Sequence, residues 1–312
     1  MQKSPTPIII DTDPGHDDAL ALLLAARAPE LRLLAVTSVA GNQTLDKTTL
    51  NARRILTIGD IRDVPLAAGM SRPLVRPLRT APYAHGESGL DGYDFGPPQI
   101  DVIPDHAVDL IIRTVTESPE PVTVVPIGPL TNIAMAFLRA PAITENITRI
   151  VLMGGAAHLG NVTPAAEFNI YVDPEAAQIV FEAGVPITMV GLDATHRARI
   201  RPQERERIRA LGTPVGEAIA ALLDWYSATS TRRAPAEGPP IHDALAVAAL
   251  IRPDLLETKH VNVVIETVGA YTAGRTVCDI SGSTGRPPNA DVALGVNRDA
   301  FIELLIGGLA RY

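Results

Sequence analysis

Four carboxylates, Asp11, Asp13, Asp17 and Asp18, fall within eight positions of the stretch IIIDTDPGHDDALALLL, residues 8–24. Any fold of this chain must accommodate that density of like charge. The β-branched Ile8, Ile9 and Ile10 favour a buried strand, and Pro14-Gly15 forces a turn. Asp17 and Asp18 then enter the first turn of an Ala/Leu-rich helix, where the backbone dipole favours negative charge. Helix capping accounts for one or two of these acids. Four so close repel one another, and residues 4–26 contain neither Lys nor Arg to offset them. The stretch therefore predicts strand, acidic turn and helix, with a hard cation held in the turn.

The same alternation continues for two thirds of the chain. Apolar runs at 31–40, 64–68, 122–127, 147–155 and 185–193 are separated by helical patterns over 44–58, near 105–117, from about 130 and from Asp173-Pro174. Strands alternating with helices imply an α/β fold: an open, mostly parallel, Rossmann-like sheet with helices on both faces. The tail, VNVVIETVG, GRTVCDI and NADVALGV, suggests strands at a mixed sheet edge, closed by a helix from about 298. Residues 194–240 differ, with Arg-rich helices over 203–211 and 214–231 leading into APAEGPP, which reads as a mobile loop. They predict a helical cap over the carboxyl-end rim. With no repeat or extended linker, residues 1–312 form a single domain.

In parallel sheets, ligands gather beyond the carboxyl ends of the strands. Polar or Gly-rich loops follow the apolar runs here, bringing Asn42, the Ile127–Asn132 turn, Asn161, Glu167 and Asn169 to the rim that holds the four aspartates. Each has a plainer reading as a turn or cap residue, Asn132 and Asp173 above all, and Asp243 in IHDALAV is equally a helix cap. An extended AEFNIY would point Glu167 and Asn169 to one side and Phe168 to the other.

Composition narrows the partners. A net charge of −8 without a basic run, and 4% aromatic residues, disfavour nucleic acid. The longest apolar stretch, Ala19 to Ala26, is too short to span a membrane. MQKSPTP lacks a signal-peptide pattern, and the lone Cys278 makes a reducing, cytoplasmic setting the expectation. A small molecule is the better partner. An all-oxygen donor set suits Ca²⁺ or Mg²⁺ rather than zinc, and a main-chain carbonyl after VTVVPI suits Ca²⁺ better. Amides and a carboxylate around such an ion suit a sugar.

DTDPGHDDALALLLA, VAGNQT, HGESGLDG, GPLTNIA, VLMGGA, GNVTPAAEFNIYVDPEAA and IHDALAV together resemble, in order and over essentially the whole chain, the inosine-uridine preferring nucleoside hydrolase family. The long GNVTPAAEFNIYVDPEAA block looks most like its bacterial pyrimidine ribonucleoside hydrolases. The resemblance implies hydrolysis of a ribonucleoside to ribose and free base, with uridine and cytidine preferred. Asp13, Asp18, Asp243 and the Ile127 carbonyl match the family's Ca²⁺ ligands, and Asp13 also matches its general base. Asp17, Asn42, Asn161, Glu167 and Asn169 match ribose contacts, with Met153 lining the same pocket and Asp11 supporting the metal residues. His85 and His242 match histidines beside the base, and one of them, or the two together, is the expected proton donor to the leaving base. Phe168 and Tyr226 are candidate base contacts, Tyr226 equally a packing residue. The resemblance also implies a homo-oligomer, a dimer or a tetramer.

Two positions depart from the family pattern: Ile127 stands where Thr is common, and Ser230 where some purine-accepting members carry a tyrosine. The second departure weakens the case for inosine, leaving a purine or broad-specificity hydrolase as the alternative. A haloacid dehalogenase type phosphatase also places DxD after a first strand, but Lys occurs only at 3, 47 and 259. A non-catalytic ribonucleoside-binding protein would keep the same residues without turnover.

Overall fold

The order of the strands explains where the site lies. In the computed structural model, which describes residues 4–229 and 237–312, the strands are β1 Thr6–Thr12, β2 Leu31–Ser38, β3 Leu66–Ala68, β4 Val122–Pro126 and β5 Ile147–Met153. They continue with β6 Ile187–Val190, β7 Leu256–Val261, β8 Val263–Ile265, β9 Thr276–Cys278 and β10 Ala290–Val296. Eight form one sheet in the order β3-β2-β1-β4-β5-β6-β10-β7, parallel except for β7 against β10. The chain winds outward from β1 through β2 to β3, then returns to β4 on the other side of β1. That reversal opens a crevice between the carboxyl ends of β1 and β4, the usual binding position in such sheets.

The helices are α1 His16–Arg27, α2 Leu45–Ile58, α3 Pro82–His85, α4 Ala107–Glu117, α5 Thr131–Arg139 and α6 Phe168–Val172. The rest are α7 Pro174–Glu182, α8 Leu192–Thr195, α9 Pro202–Arg209, α10 Pro214–Thr229, α11 Asp243–Ile251 and α12 Arg298–Leu309. Two cores separate the layers, and the two-residue period of a strand assigns side chains to them. Ile8 and Ile10 of β1 enter the core under α1, α11 and α12, whereas Ile9 enters the core with α4, α5 and α7. Each fully buried isoleucine contributes about 1.5–3 kcal/mol. Among the described residues no helix is long and apolar enough to cross a membrane.

Three details correct the sequence reading. Of the three tail segments, only β10 joins the main sheet, parallel to β6, while β8 and β9 form a separate antiparallel pair. The antiparallel edge is β7, whose LETKHV is mostly exposed and carries too little apolar character to register as a strand. AEFNIY is not extended: Glu167 caps a helical turn running from Phe168 to Val172. The expected cap is represented by α9 and α10, while Ser230 and residues 231–236 of the expected loop lie outside the described residues.

Candidate active site

Asp13, Pro14 and Gly15 form the turn between β1 and α1, and all four acids of the opening stretch are buried. Asp18 is held from both sides, its Oδ1 accepting from Thr12 Oγ1 at 2.5 Å and its Oδ2 from the Gly15 amide at 2.8 Å. Asp17 Oδ2 accepts from the His242 amide at 3.1 Å, which draws the start of α11, and with it Asp243, to the turn. Asp13 Oδ2 accepts from the Asn42 amide at 2.6 Å, and Asn42 Nδ2 donates to the Asp13 carbonyl at 3.1 Å. The other oxygen, Asp13 Oδ1, is buried without a partner among the described residues.

Burial dominates the electrostatics of this nest. It raises Asp13 and Asp243 well above the ordinary carboxylate range and Asp17 to about 7, with the neighbouring aspartate charges adding to each shift. Asp18 is raised as well. Among the described residues no Lys or Arg pairs with them, so a divalent cation fits the donor set. Oxygens of Asp17, Asp18 and Asp243 lie within 4.8 Å of one another, and Asp13 Oδ1 is an orphan acceptor beside them in charge if not in that triad. This differs from the ligand set implied by the resemblance, which placed Asp17 on the sugar. Asp11 stands apart. Its Oδ1 accepts from Thr37 Oγ1 at 2.6 Å and Asn132 Nδ2 at 2.7 Å, and its carbonyl takes the Ile127 amide at 2.8 Å. It ties β1 to the β4–α5 turn.

Above the acids a cavity opens at the rim, with about 610 Å³ of free space counting the open solvent at its mouth. Asp17, Asn42, Ile127, Met153, Asn161, Glu167, Phe168, Asn169, Tyr226, His242, Asp243 and His85 all line it, so the sequence-derived candidates converge. Asp13 and Asp18 are fully buried and do not. The helical turn of α6 places Glu167, Phe168 and Asn169 together on the cavity wall, which an extended strand could not do. Glu167 accepts from the amides of Gly155, Asn169 and Ile170, and burial still raises it to about 7. Asn169 Nδ2 donates to the Ile127 carbonyl at 2.9 Å and the Met153 carbonyl at 3.1 Å, joining the ends of β4 and β5.

The opposite wall is aromatic. His85, at the end of α3, and Tyr226, on α10, stack with His16, and Trp225 lies flat against His16 with ring centroids 4.8 Å apart. Tyr226 thus packs and lines the cavity at once. Burial holds His85 well below the ordinary histidine range, and His242, bonded through Nδ1 to Thr195 Oγ1 at 2.7 Å, is pushed down to about 3. The sequence reading missed Ala81, Tyr83 and Ala84 of the α3 segment, which also line the cavity, and the supporting roles of Thr12, His16 and Thr195. His16 was visible within DPGHDD; the others carry no signal beyond residue type.

Fold and site together define an α/β protein with a polar cavity at the carboxyl-end rim over a nest of buried carboxylates. Residues 8–303 match the family model described as inosine-uridine preferring nucleoside hydrolase. The chain is 50% identical over 309 residues to the pyrimidine-specific ribonucleoside hydrolase of Photobacterium profundum, covering 98% of this chain and 99% of that one. It is 48% identical over 307 residues to that of Citrobacter koseri, covering 98% of each. Among solved structures, a purine-preferring ribonucleoside hydrolase from Gardnerella vaginalis superposes with a TM-score of 0.92 at 33% identity, covering 98% of both chains. A plant nucleoside hydrolase gives 0.93 at 32% identity, covering 99% of this chain and 100% of that one. The chain belongs to the inosine-uridine preferring nucleoside hydrolase family and is an N-glycosyl hydrolase.

Proposed function

We propose that this enzyme hydrolyses the N-glycosidic bond of pyrimidine ribonucleosides, uridine and cytidine, with Ca²⁺ as cofactor. The carrying observation is the nest of buried carboxylates at the β1/β4 crevice, with Asp13 Oδ1 sealed and unpartnered. Asp13, Asp18, Asp243 and the Ile127 carbonyl would hold the ion, with Asp17 close enough to join them. When bound, a hard divalent ion supplies positive charge that offsets their repulsion and favours a vicinal diol as ligand.

The chain's own groups do the rest. With Oδ2 fixed by the Asn42 amide, Asp13 offers Oδ1 to take the proton of the attacking water. Asp17, Asn42, Asn161 and Asn169 orient the ribose hydroxyls. Glu167 lays its charge beside the sugar, where positive charge grows as the glycosidic bond lengthens. His242 serves the leaving base: its Nδ1 is engaged by the Thr195 hydroxyl at 2.7 Å, and in the tautomer where that hydroxyl donates, the neutral imidazole offers its Nε2 proton to the base as a hydrogen-bond donor. Phe168 and Tyr226 provide apolar walls for a flat ring. The pyrimidine preference is supported by relatives about half identical to this chain, whereas the purine-preferring structure is 33% identical.

The test is a panel of uridine, cytidine, inosine and adenosine, compared by kcat/KM after chelation and after Ca²⁺ is restored. The expected result is release of uracil and ribose, with pyrimidines ahead by about tenfold or more. Inosine in the lead would reverse the base assignment, undiminished activity after chelation would remove the Ca²⁺ requirement, and tight binding without turnover would leave only a sensor.

A further inference from the structure

Beside the cavity, two imidazoles meet nitrogen to nitrogen. His16 Nδ1 lies 3.1 Å from His85 Nδ1, and His16 Nε2 lies 2.8 Å from the Asp91 carbonyl oxygen. A carbonyl only accepts, so His16 must carry a proton on Nε2. A second proton on His16 would bury a cation stacked between His85 and Trp225, where the loss of water outweighs what the Asp91 carbonyl and the nearby Asp91 carboxylate return. His16 Nδ1 is therefore bare. Two bare nitrogens at 3.1 Å would oppose their lone pairs, so the bridging proton belongs to His85 Nδ1. A neutral imidazole with Nδ1 protonated has a bare Nε2.

That nitrogen is the one left for a ligand. His85 lines the cavity, and its Nδ1 edge packs on Gly15, where an added Cβ would come within 2.5 Å of Nδ1. Among the described residues His85 makes its hydrogen bonds through Nδ1, to the His16 ring and, at 3.4 Å, to the His16 amide. The amide contact is the competing arrangement, since it requires a bare Nδ1 and a proton on Nε2; it is the longer of the two. Stacking against Trp225 and Tyr226 fixes the plane of the His16 ring.

We infer that His16, a positioning residue that lines no part of the cavity, sets the tautomer of His85 and makes His85 an acceptor, not a donor, toward the nucleobase. Resting on the nucleoside reading above, this divides the two cavity histidines: His242 donates to the leaving base, and His85 reads a donor on it. In uridine the base has one such donor, N3–H. A base methylated there cannot satisfy His85.

The test has a spectroscopic arm and a kinetic arm. In the full chain labelled with ¹⁵N-histidine, with His85 assigned by its absence in His85→Gln, long-range ¹H–¹⁵N spectra should show His85 protonated at Nδ1 and bare at Nε2. His16→Leu should mix or reverse that tautomer. His16→Gln, whose amide can still donate toward Asp91 and accept from His85, should keep it. Wild type should prefer uridine over 3-methyluridine by about tenfold, and His16→Leu should narrow the ratio to about threefold or less, chiefly through KM. A wild-type His85 protonated at Nε2, or a His16→Leu protein with spectrum and ratio unchanged, would overturn the inference. Absence of uridine turnover in wild type would overturn the functional reading instead, and the wild-type spectrum would still decide the tautomer.

Discussion

Asp13 is the residue whose surroundings are hardest to explain without chemistry. One oxygen is fixed by the Asn42 amide and the other is buried without a partner, an arrangement that costs about 1–3 kcal/mol or more for a charged group. The cost is tolerable only if something else takes that oxygen. Asp13→Asn preserves shape and removes the charge, so kcat/KM for uridine should fall by about 10²–10⁴-fold while the chelated protein melts no lower than wild type. Near-normal turnover would remove Asp13 from the role of base. The glycines beside it make the same point by exclusion: a Cβ on Gly128 would sit 2.6 Å from Asp13 Oδ1, and one on Gly41 would sit 2.1 Å from Oδ2. Gly128→Ala should therefore displace the carboxylate and lower kcat/KM by about 10²-fold with an unchanged circular dichroism spectrum. Retained activity would mean that Oδ1 is not used.

At the scale of elements, Asn132 on α5 joins the carboxyl ends of three strands. It donates to Asp11 Oδ1 of β1 at 2.7 Å and to the Ser38 carbonyl of β2 at 3.1 Å, and accepts from the Met70 amide, just past β3, at 2.8 Å. Asn132→Ala would leave Asp11 with Thr37 as its side-chain donor and free the Met70 amide, while the Ser38 carbonyl keeps the Gly69 amide, for an expected loss of about 2 kcal/mol in urea unfolding. A loss below about 1 kcal/mol would show that the three ends hold without it. The sequence made the strand–loop alternation legible because β1, β4 and β5 are continuous apolar runs, and their polar loops could only share one rim. It did not make α6 legible, because FNIYV has the composition of a strand, and the Glu167 cap that folds it into a helix depends on amides from Gly155, far back in the chain. For the same reason β7 was missed and β8 and β9 were misplaced: edge strands answer to their partners more than to their own hydrophobicity.

Taken as a whole molecule, the enzyme stores mutual repulsion where it binds, and that makes its stability depend on both cation and proton. Burial holds Asp11, Asp17 and Glu167 at about 7, well above the 3.8 and 4.5 of their unpaired types. A carboxyl raised on folding binds its proton more tightly in the native state, so its contribution is most favourable below the unfolded value and declines as pH rises through the folded one. Between pH 5.5 and 7.5 the cation-free protein should therefore lose stability as pH rises, by about 1.4 kcal/mol per pH unit for each proton by which the raised carboxyls outnumber the depressed His16, His85 and His242, which oppose them below about pH 6.5. Calorimetry after chelation should show Tm rising on acidification across that window. On the proposed reading Ca²⁺ would take the place of those protons on the aspartates that hold it, so adding it at pH 7.5 should raise Tm by the linkage amount, about 2.7 kcal/mol at a hundredfold excess over Kd, and flatten the pH slope. Asp11 and Glu167 lie outside the proposed ligand set and should keep a residual slope even when the ion is saturating. A chelated Tm that falls on acidification from pH 7.5 to 6.5, above the range in which the depressed histidines act, or a slope that Ca²⁺ leaves untouched, would mean that the acids are already compensated within the fold and that the crevice was not built for a cation.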